Sequence, residues 1–525
     1  MNSLHSALPL IPLQLPDLPI YEHAQLFIGT AACLAAAGVF ARAYLVKSES
    51  NLPLPPSPPN WTFQGHTLPP RRPFLTMAEW IDEYGPVITT RSRFTKVVIV
   101  GSYKAAVEIM ENQGKSVADR PRSISAGELF SGGMSLTFAP VGERFRRMRK
   151  ALHSHLQPKA AETYQPLQSS HAKNVVLNIL DDPHNFRNHV LSYAATTVMK
   201  VAYGKSTPTS ATHPEVIELH RNMEVFAKLL RPGAFLVDSI PWLKYLPWYG
   251  RELKRGYETY KRIHTGQLNR VGEQIKSNED TGPSLARFIL ENREHGLGET
   301  ESAFLVGSMF SAGSDTTGSA ICTVLMAAAR FPEEQAKVQA ELDAVVGRHQ
   351  APTFADQKSL PRMQAFIYEA LRWRPLATNG VPHRTNEDVI WAIHQENYRI
   401  PAGTTVYGNH WSITRDPDAY PEPDAFKPER WIDDHGNLKE NINLFFIYGF
   451  GRRVCPGQHL AQRSVFISTL LVIWAFRLTL DPTKPVDDME FIIGEKADSP
   501  CVIEFEARVP DAELRHIMEE YCPDS

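Results

Sequence analysis

Cysteine is scarce. Five residues in 525 (Cys33, Cys322, Cys455, Cys501 and Cys522) are too few and too scattered for a disulfide framework or a paired-cysteine zinc site. The bulk of the chain therefore suits a reducing compartment, and a cysteine with a role acts alone. Charge of one sign is also lacking. Lys and Arg number 55 against 58 Asp and Glu, a net charge of −3, so no basic field points to nucleic acid. Repeats and low-complexity tracts are absent. No dinucleotide or flavin domain is legible, because the one glycine-rich loop surrounds a cysteine. With 43% hydrophobic and 22% charged residues the chain is ordinary for a globular protein, which excludes wholesale disorder.

No Lys or Arg precedes Arg42, and residues 24–46 form an apolar run, AQLFIGTAACLAAAGVFARAYLV. About 23 residues at 1.5 Å rise can cross a hydrocarbon core of roughly 30 Å. A cleaved signal peptide would need a basic leading region, which is missing here. Arg42, Lys47, Arg71 and Arg72 all follow the run, so the positive-inside rule leaves a lumenal tail (1–23) and a cytosolic body. The run reads as a signal anchor. A proline-rich hinge (47–75) follows, containing NLPLPPSPPN, whose prolines exclude helix and central strand. The sequon Asn60-Trp61-Thr62 would face the cytosol and stay unmodified.

Residues 76–525 read as one domain. Glu301 to Arg330 is a long apolar helical stretch, Pro332 opens a helix that Gly347 ends, and Leu360 to Trp373 is a helix stopped by Pro375. Short β-rich runs lie between Asp388 and Asn409. The expectation is a mainly α body with small β-sheets.

The most informative stretch runs from Tyr448 to Gly457, YGFGRRVCPG, followed by a helical segment. Glycines let backbone N–H groups approach the Cys455 sulfur, and a helix N-terminus favours its thiolate. A thiolate held alone beside an Arg can serve as a single axial haem ligand. A buried structural cysteine is the plain alternative.

This loop resembles that of the cytochrome P450 haem-thiolate monooxygenases, and three further motifs occur in that family's order. Where the family begins its loop with Phe, this chain has Tyr448. The first motif is Ala312-Gly313-Ser314-Asp315-Thr316-Thr317, which breaks helix propensity in mid-helix. Gly313 would let a flat ligand or O2 approach, and Asp315 with Thr316 could pass protons to dioxygen. A Ser/Thr-rich kink is the alternative. The second is Glu369 with Arg372, at i and i+3, a spacing equally common in surface pairs. The resemblance implies that they join Arg430 in a buried structural lock. The third is Gly142 to Lys150, where Phe145 replaces the family's Trp and lacks its N–H donor. The resemblance assigns Arg149, His383, Arg453 and Arg120 to the haem propionates, and Tyr448 and Gly457 of the cysteine loop to the haem near the sulfur.

The resemblance implies the cytochrome P450 fold behind an N-terminal transmembrane helix, and haem b with Cys455 as axial ligand. It also implies insertion of one atom of O2 into an apolar small molecule, with electrons from an NADPH-cytochrome reductase. The chain is most similar to fungal members that tailor secondary metabolites or oxidise foreign compounds, which implies a single-pass protein of the endoplasmic reticulum membrane. Substrate contacts would come from Ser123 to Met134, Phe304 to Thr316 and Ala377 to Val381, with Leu129, Phe130 and Phe310 forming an apolar pocket. Rival readings are a haem-thiolate isomerase or dehydratase, and a non-catalytic haem-binding protein; retention of Asp315 and Thr316 counts against both. Residues 229–250, rich in Trp and Tyr, could form a second membrane contact or a core segment. Arg146, Arg147 and Lys150 share a face away from Phe145 and Arg149, where an acidic flavoprotein could dock.

Overall fold

A computed structural model describes Thr30 and residues 52–521 apart from 60, 63–64, 93–94, 232, 280–281, 394–395, 441 and 496. The expected tail (1–23), the anchor (24–46) apart from Thr30, and Asn60 of the sequon lie outside the described residues. Among the described residues no helix is long and apolar enough to cross a membrane.

The helices of ten residues or more are α1 (Pro73–Tyr84), α2 (Glu143–Leu156), α3 (Gln165–Asp181), α4 (Phe186–Tyr203), α5 (Pro214–Leu229) and α6 (Arg251–Lys276), followed by α7 (Glu299–Arg330), α8 (Pro332–Val345), α9 (Pro361–Trp373), α10 (Gln458–Ala475) and α11 (Asp511–Glu520). Helix α7 is apolar nearly all round, so it is buried nearly all round. Its Ala320–Ala329 end packs with α3 and α10, and its Ala303–Phe310 end with α4 and α6. Glu301 accepts a hydrogen bond from the Gly298 N–H at 3.1 Å to fix the start of α7. Phe331 separates α7 from Pro332, the first residue of α8. Gly307 permits the crossing with α6, since a Cβ there would lie 2.1 Å from the His264 ring.

Strands β1 (Val87–Ser92), β2 (Thr95–Val100), β3 (His383–Arg384) and β6 (Thr405–Gly408) form a sheet of order β1-β2-β6-β3, with β2 and β6 parallel. Two antiparallel pairs, β4 (Val389–Ile393) with β5 (Glu396–Ile400) and β7 (Phe476–Leu480) with β8 (Ile503–Ala507), complete the small sheets. One compact unit extends from Leu54 to Ser525. Its packing starts ahead of residue 76, because Pro55 and Pro58 are buried and the Thr89 N–H donates to the Pro56 carbonyl at 2.6 Å. Residues 52–59 form neither helix nor strand, as their prolines require, but part of the stretch is anchored to the sheet.

Candidate active site

A cavity of about 330 Å³ lies between α7, α2, the start of α10 and the loop ahead of β3. Cys455 is the one cysteine in its lining. The loop that carries it turns through Gly449 (φ 83°) and Gly451 (φ 52°), left-handed values that favour glycine. A Cβ on Gly451 would also sit 2.9 Å from the Met110 carbonyl oxygen. Two hydrogen bonds fix the loop: the Gly451 N–H to Glu111 Oε2 at 2.7 Å, and the Cys455 N–H to the Tyr448 carbonyl at 2.8 Å. Burial pushes the Cys455 thiol up, while the Gly457 N–H and Arg149 pull the other way. The backbone N–H at the start of the following helix thus favours the thiolate, as the sequence leads one to expect, but burial outweighs it; a bound metal cation is what deprotonates such a thiol outright.

Across the cavity, Thr316 comes from α7 and donates from Oγ1 to the Ala312 carbonyl at 2.7 Å. Gly313 also lines the cavity, but the space a Cβ would fill is taken by Val198, 2.9 Å away. Its small size thus lets α4 close on α7. Asp315 is absent from the cavity lining. Its Oδ1 lies 2.7 Å from Nδ1 of His220 on α5, on another face of the helix. The sequence singled out both members of the acid–alcohol pair, and the structure brings only Thr316 to the cavity.

Arg120, Arg149 and Arg453 all line the cavity. Backbone carbonyls hold them: Thr137, Val381 and Pro382 for Arg120, Val454 for Arg149, Ala118 and Ala139 for Arg453. Among the described residues none of the three makes an ion pair with a carboxylate. Burial pushes Arg120 down to about 9, aided by Arg453, and burial pushes Arg453 down to about 10. His383 has Nδ1 2.8 Å from the Val117 carbonyl, which requires its proton there, and burial followed by Arg120 holds the ring well below the usual histidine range. Phe145 lies under the Arg453 guanidinium, whose carbon is 3.7 Å from the ring centroid.

The buried lock is complete. Arg372 donates twice to Glu369, at 2.8 Å each, with both side chains fully buried. Arg430 Nε reaches Glu369 at 3.1 Å, Trp431 Nε1 at 3.0 Å, and the Lys427 N–H at 2.8 Å. The surface-pair alternative is therefore excluded. Trp431 then packs on Phe446, two residues before Tyr448 at the start of the cysteine loop.

Leu129, Phe130 and Phe310 do not form the expected pocket. Phe130 and Phe310 are core residues, Phe130 edge-on to Tyr260 at 5.3 Å, and Leu129 packs against the same core. The walls instead come from Leu136, Met309, Ala312, Val381 and Ile447, among others. The described part of 229–250 is two-sided: Val237 and Leu243 are buried in a small cluster with Ile124, whereas Leu236 is 44% exposed, Trp242 59%, Tyr245 76% and Trp248 61%.

These residues fit a haem. One soft sulfur opens on the cavity, apolar walls surround it, and three guanidiniums without an ion-paired carboxylate can neutralise two propionates. Tyr448 and Gly457 flank the sulfur in the same lining.

The family model described as Cytochrome P450 matches residues 55–501. Cytochrome P450 monooxygenase 64 of Postia placenta is 45% identical over 88% of this chain and 92% of its own length. Cytochrome P450 monooxygenase 113 of the same fungus is 42% identical over 93% and 98%. A cytochrome P450 monooxygenase of Armillaria gallica is 33% identical over 81% and 83%.

Proposed function

On the premise that the chain belongs to the cytochrome P450 family and is a haem-binding monooxygenase, we propose that it inserts one atom of O2 into an apolar secondary-metabolite intermediate, drawing electrons from an NADPH-dependent reductase. The observation that carries this reading is that Cys455 and Thr316 open on the same apolar-walled cavity. Haem bound to Cys455 supplies the activation of dioxygen and the transfer of oxygen to carbon. Leu136, Met309, Ala312 and Val381 hold an apolar substrate and exclude bulk water. Thr316, whose own proton is committed to the Ala312 carbonyl, keeps lone pairs free to accept a hydrogen bond from a water and so to place a proton in the cavity. Arg120, Arg149 and Arg453 neutralise the propionates.

Residues 24–46 are the proposed anchor in the endoplasmic reticulum membrane, with the catalytic unit on the cytosolic side. The exposed Trp242, Tyr245 and Trp248 suit a second contact with the headgroup layer. A chain lacking residues 1–50 should then still bind phospholipid vesicles; full recovery in solution at low and high salt would contradict that contact.

The test of function supplies the holoenzyme with reductase, NADPH and ¹⁸O2, and screens apolar metabolites from a producing fungus by mass. A product carrying one ¹⁸O, with matching NADPH consumption, supports the reading. A rearranged product that gains no oxygen and consumes no NADPH points to the isomerase class instead.

A further inference from the structure

His383 brings one N–H and one bare nitrogen to the wall of the Cys455 cavity. Its Nδ1 lies 2.8 Å from the Val117 carbonyl, so that nitrogen carries the proton. Nε2 has no partner among the described residues. Unlike Nδ1 of His410, which is buried without a partner, it is not sealed away from the cavity. The ring is 6% exposed and lines the cavity together with Arg120, Arg149 and Arg453. A neutral ring therefore offers a lone pair to the same space in which the guanidiniums meet carboxylates. Carboxylate oxygen and bare imidazole nitrogen both accept, so neither can bond the other without a further proton.

We propose that His383 takes up a proton at Nε2 when haem binds, and holds a propionate as an imidazolium bonded at both nitrogens. This rests on the haem-binding reading above. The balance is one proton from solvent. The Nδ1–H stays on the Val117 carbonyl, the new Nε2–H is donated to a propionate oxygen, and no electron moves. Both contacts of the ring then become charge-assisted. His383 is thus a fourth cation of the cradle, and the one among them that switches with pH.

The surrounding groups explain why the proton waits for haem. Burial, then Arg120, hold the ring well below the usual histidine range, with Arg453 and His410 adding and the Val117 bond opposing. Asp119, the carboxylate that acts on both Arg120 and Arg453, accepts the Val141 N–H at 2.8 Å. Two propionates cancel two of the three guanidinium charges and supply the missing acceptor. A ring whose proton affinity rises on binding ties haem affinity to pH. That contribution is fully present below the ring's haem-free range and is lost as pH rises through its haem-bound range.

Two measurements on the holoenzyme test this. ¹⁵N-histidine NMR of the diamagnetic ferrous-carbonyl form, with the His383 signals assigned by their loss in His383→Gln, reads the ring's protonation directly. Both ring nitrogens should be protonated at pH 6.5, with a titration midpoint above that of ordinary histidine. The second measurement is haem partition to apomyoglobin from pH 6 to 8, in wild type and in His383→Arg, whose cation is permanent. Groups common to both proteins, the Cys455 thiol included, cancel in the ratio of the two. Wild-type affinity relative to His383→Arg should fall by about tenfold per pH unit up to the NMR midpoint and then level. A haem-bound ring that keeps one bare nitrogen throughout would overturn the proposal in favour of a bridging water, and the normal haem band of the same sample would leave the haem reading standing. A ratio indifferent to pH would also overturn it. If His383→Arg fails to hold haem, the wild-type NMR decides alone.

Discussion

The guanidinium carbon of Arg453 lies 3.7 Å above the centre of the Phe145 ring. Phe145 lacks the indole N–H of the family's usual Trp, yet its face holds a cation that lines the cavity beside Cys455. Phe145→Leu keeps an apolar side chain and removes the π-face. Haem transfer to apomyoglobin should then quicken by a few-fold, in line with the roughly 0.5–2 kcal/mol of a cation–π contact. Phe145→Trp should retain haem as well as wild type. Equal loss rates in Phe145→Leu would show that the stacking has no such role.

Glu369 and Arg372 are a buried pair whose acceptors and donors are all engaged. Glu369→Gln leaves an uncompensated buried guanidinium and should cost about 3–5 kcal/mol. The expected outcome is a steep drop in melting temperature and haem-free protein. An unchanged melting temperature would contradict the lock.

How much of this was legible in sequence depends on distance along the chain. Cys455 and its glycines, and Glu369 with Arg372, sit within one loop or one helical turn, so spacing marked them as candidates and the family resemblance supplied their roles. The carbonyl cradle of Arg453 (Ala118 and Ala139) lies more than 300 residues away and uses backbone, which leaves no residue signature. His220 lies 95 residues from Asp315, and a lone histidine on an amphipathic helix carries no signal. Leu129, Phe130 and Phe310 were misplaced because an apolar residue looks the same whether it faces core or cavity.

Buried neutral histidines set a pH dependence. Burial pushes His264 down to about 3 and His410 down to about 4. An unfolded chain takes up those protons near pH 6.5, before the folded one, so stability is fully present above pH 6.5 and falls as pH drops toward 4. Each group contributes up to about 1.4 kcal/mol per pH unit in that window. The urea midpoint should fall from pH 7 to pH 5, and His264→Gln should flatten the slope. Equal slopes in variant and wild type would contradict the assignment of His264.

Arg146 and Lys150 are exposed on α2, whereas Phe145 and Arg149 line the haem cavity. If the acidic reductase docks on that face, Arg146→Glu with Lys150→Glu should leave the haem spectrum normal. First-electron transfer should slow by about tenfold at low salt, with the deficit shrinking as ionic strength rises. Equal reduction rates at low salt would place the donor elsewhere.

The central claim is that Cys455, through its sulfur, is the axial ligand of the haem. The most direct measurement is the absorbance of the dithionite-reduced, carbon-monoxide-treated protein in wild type and in Cys455→Ser. Wild type should show the red-shifted band that gives the family its name, and the hydroxyl variant, unable to supply a thiolate, should lose it. The same band at full height in Cys455→Ser would contradict the account.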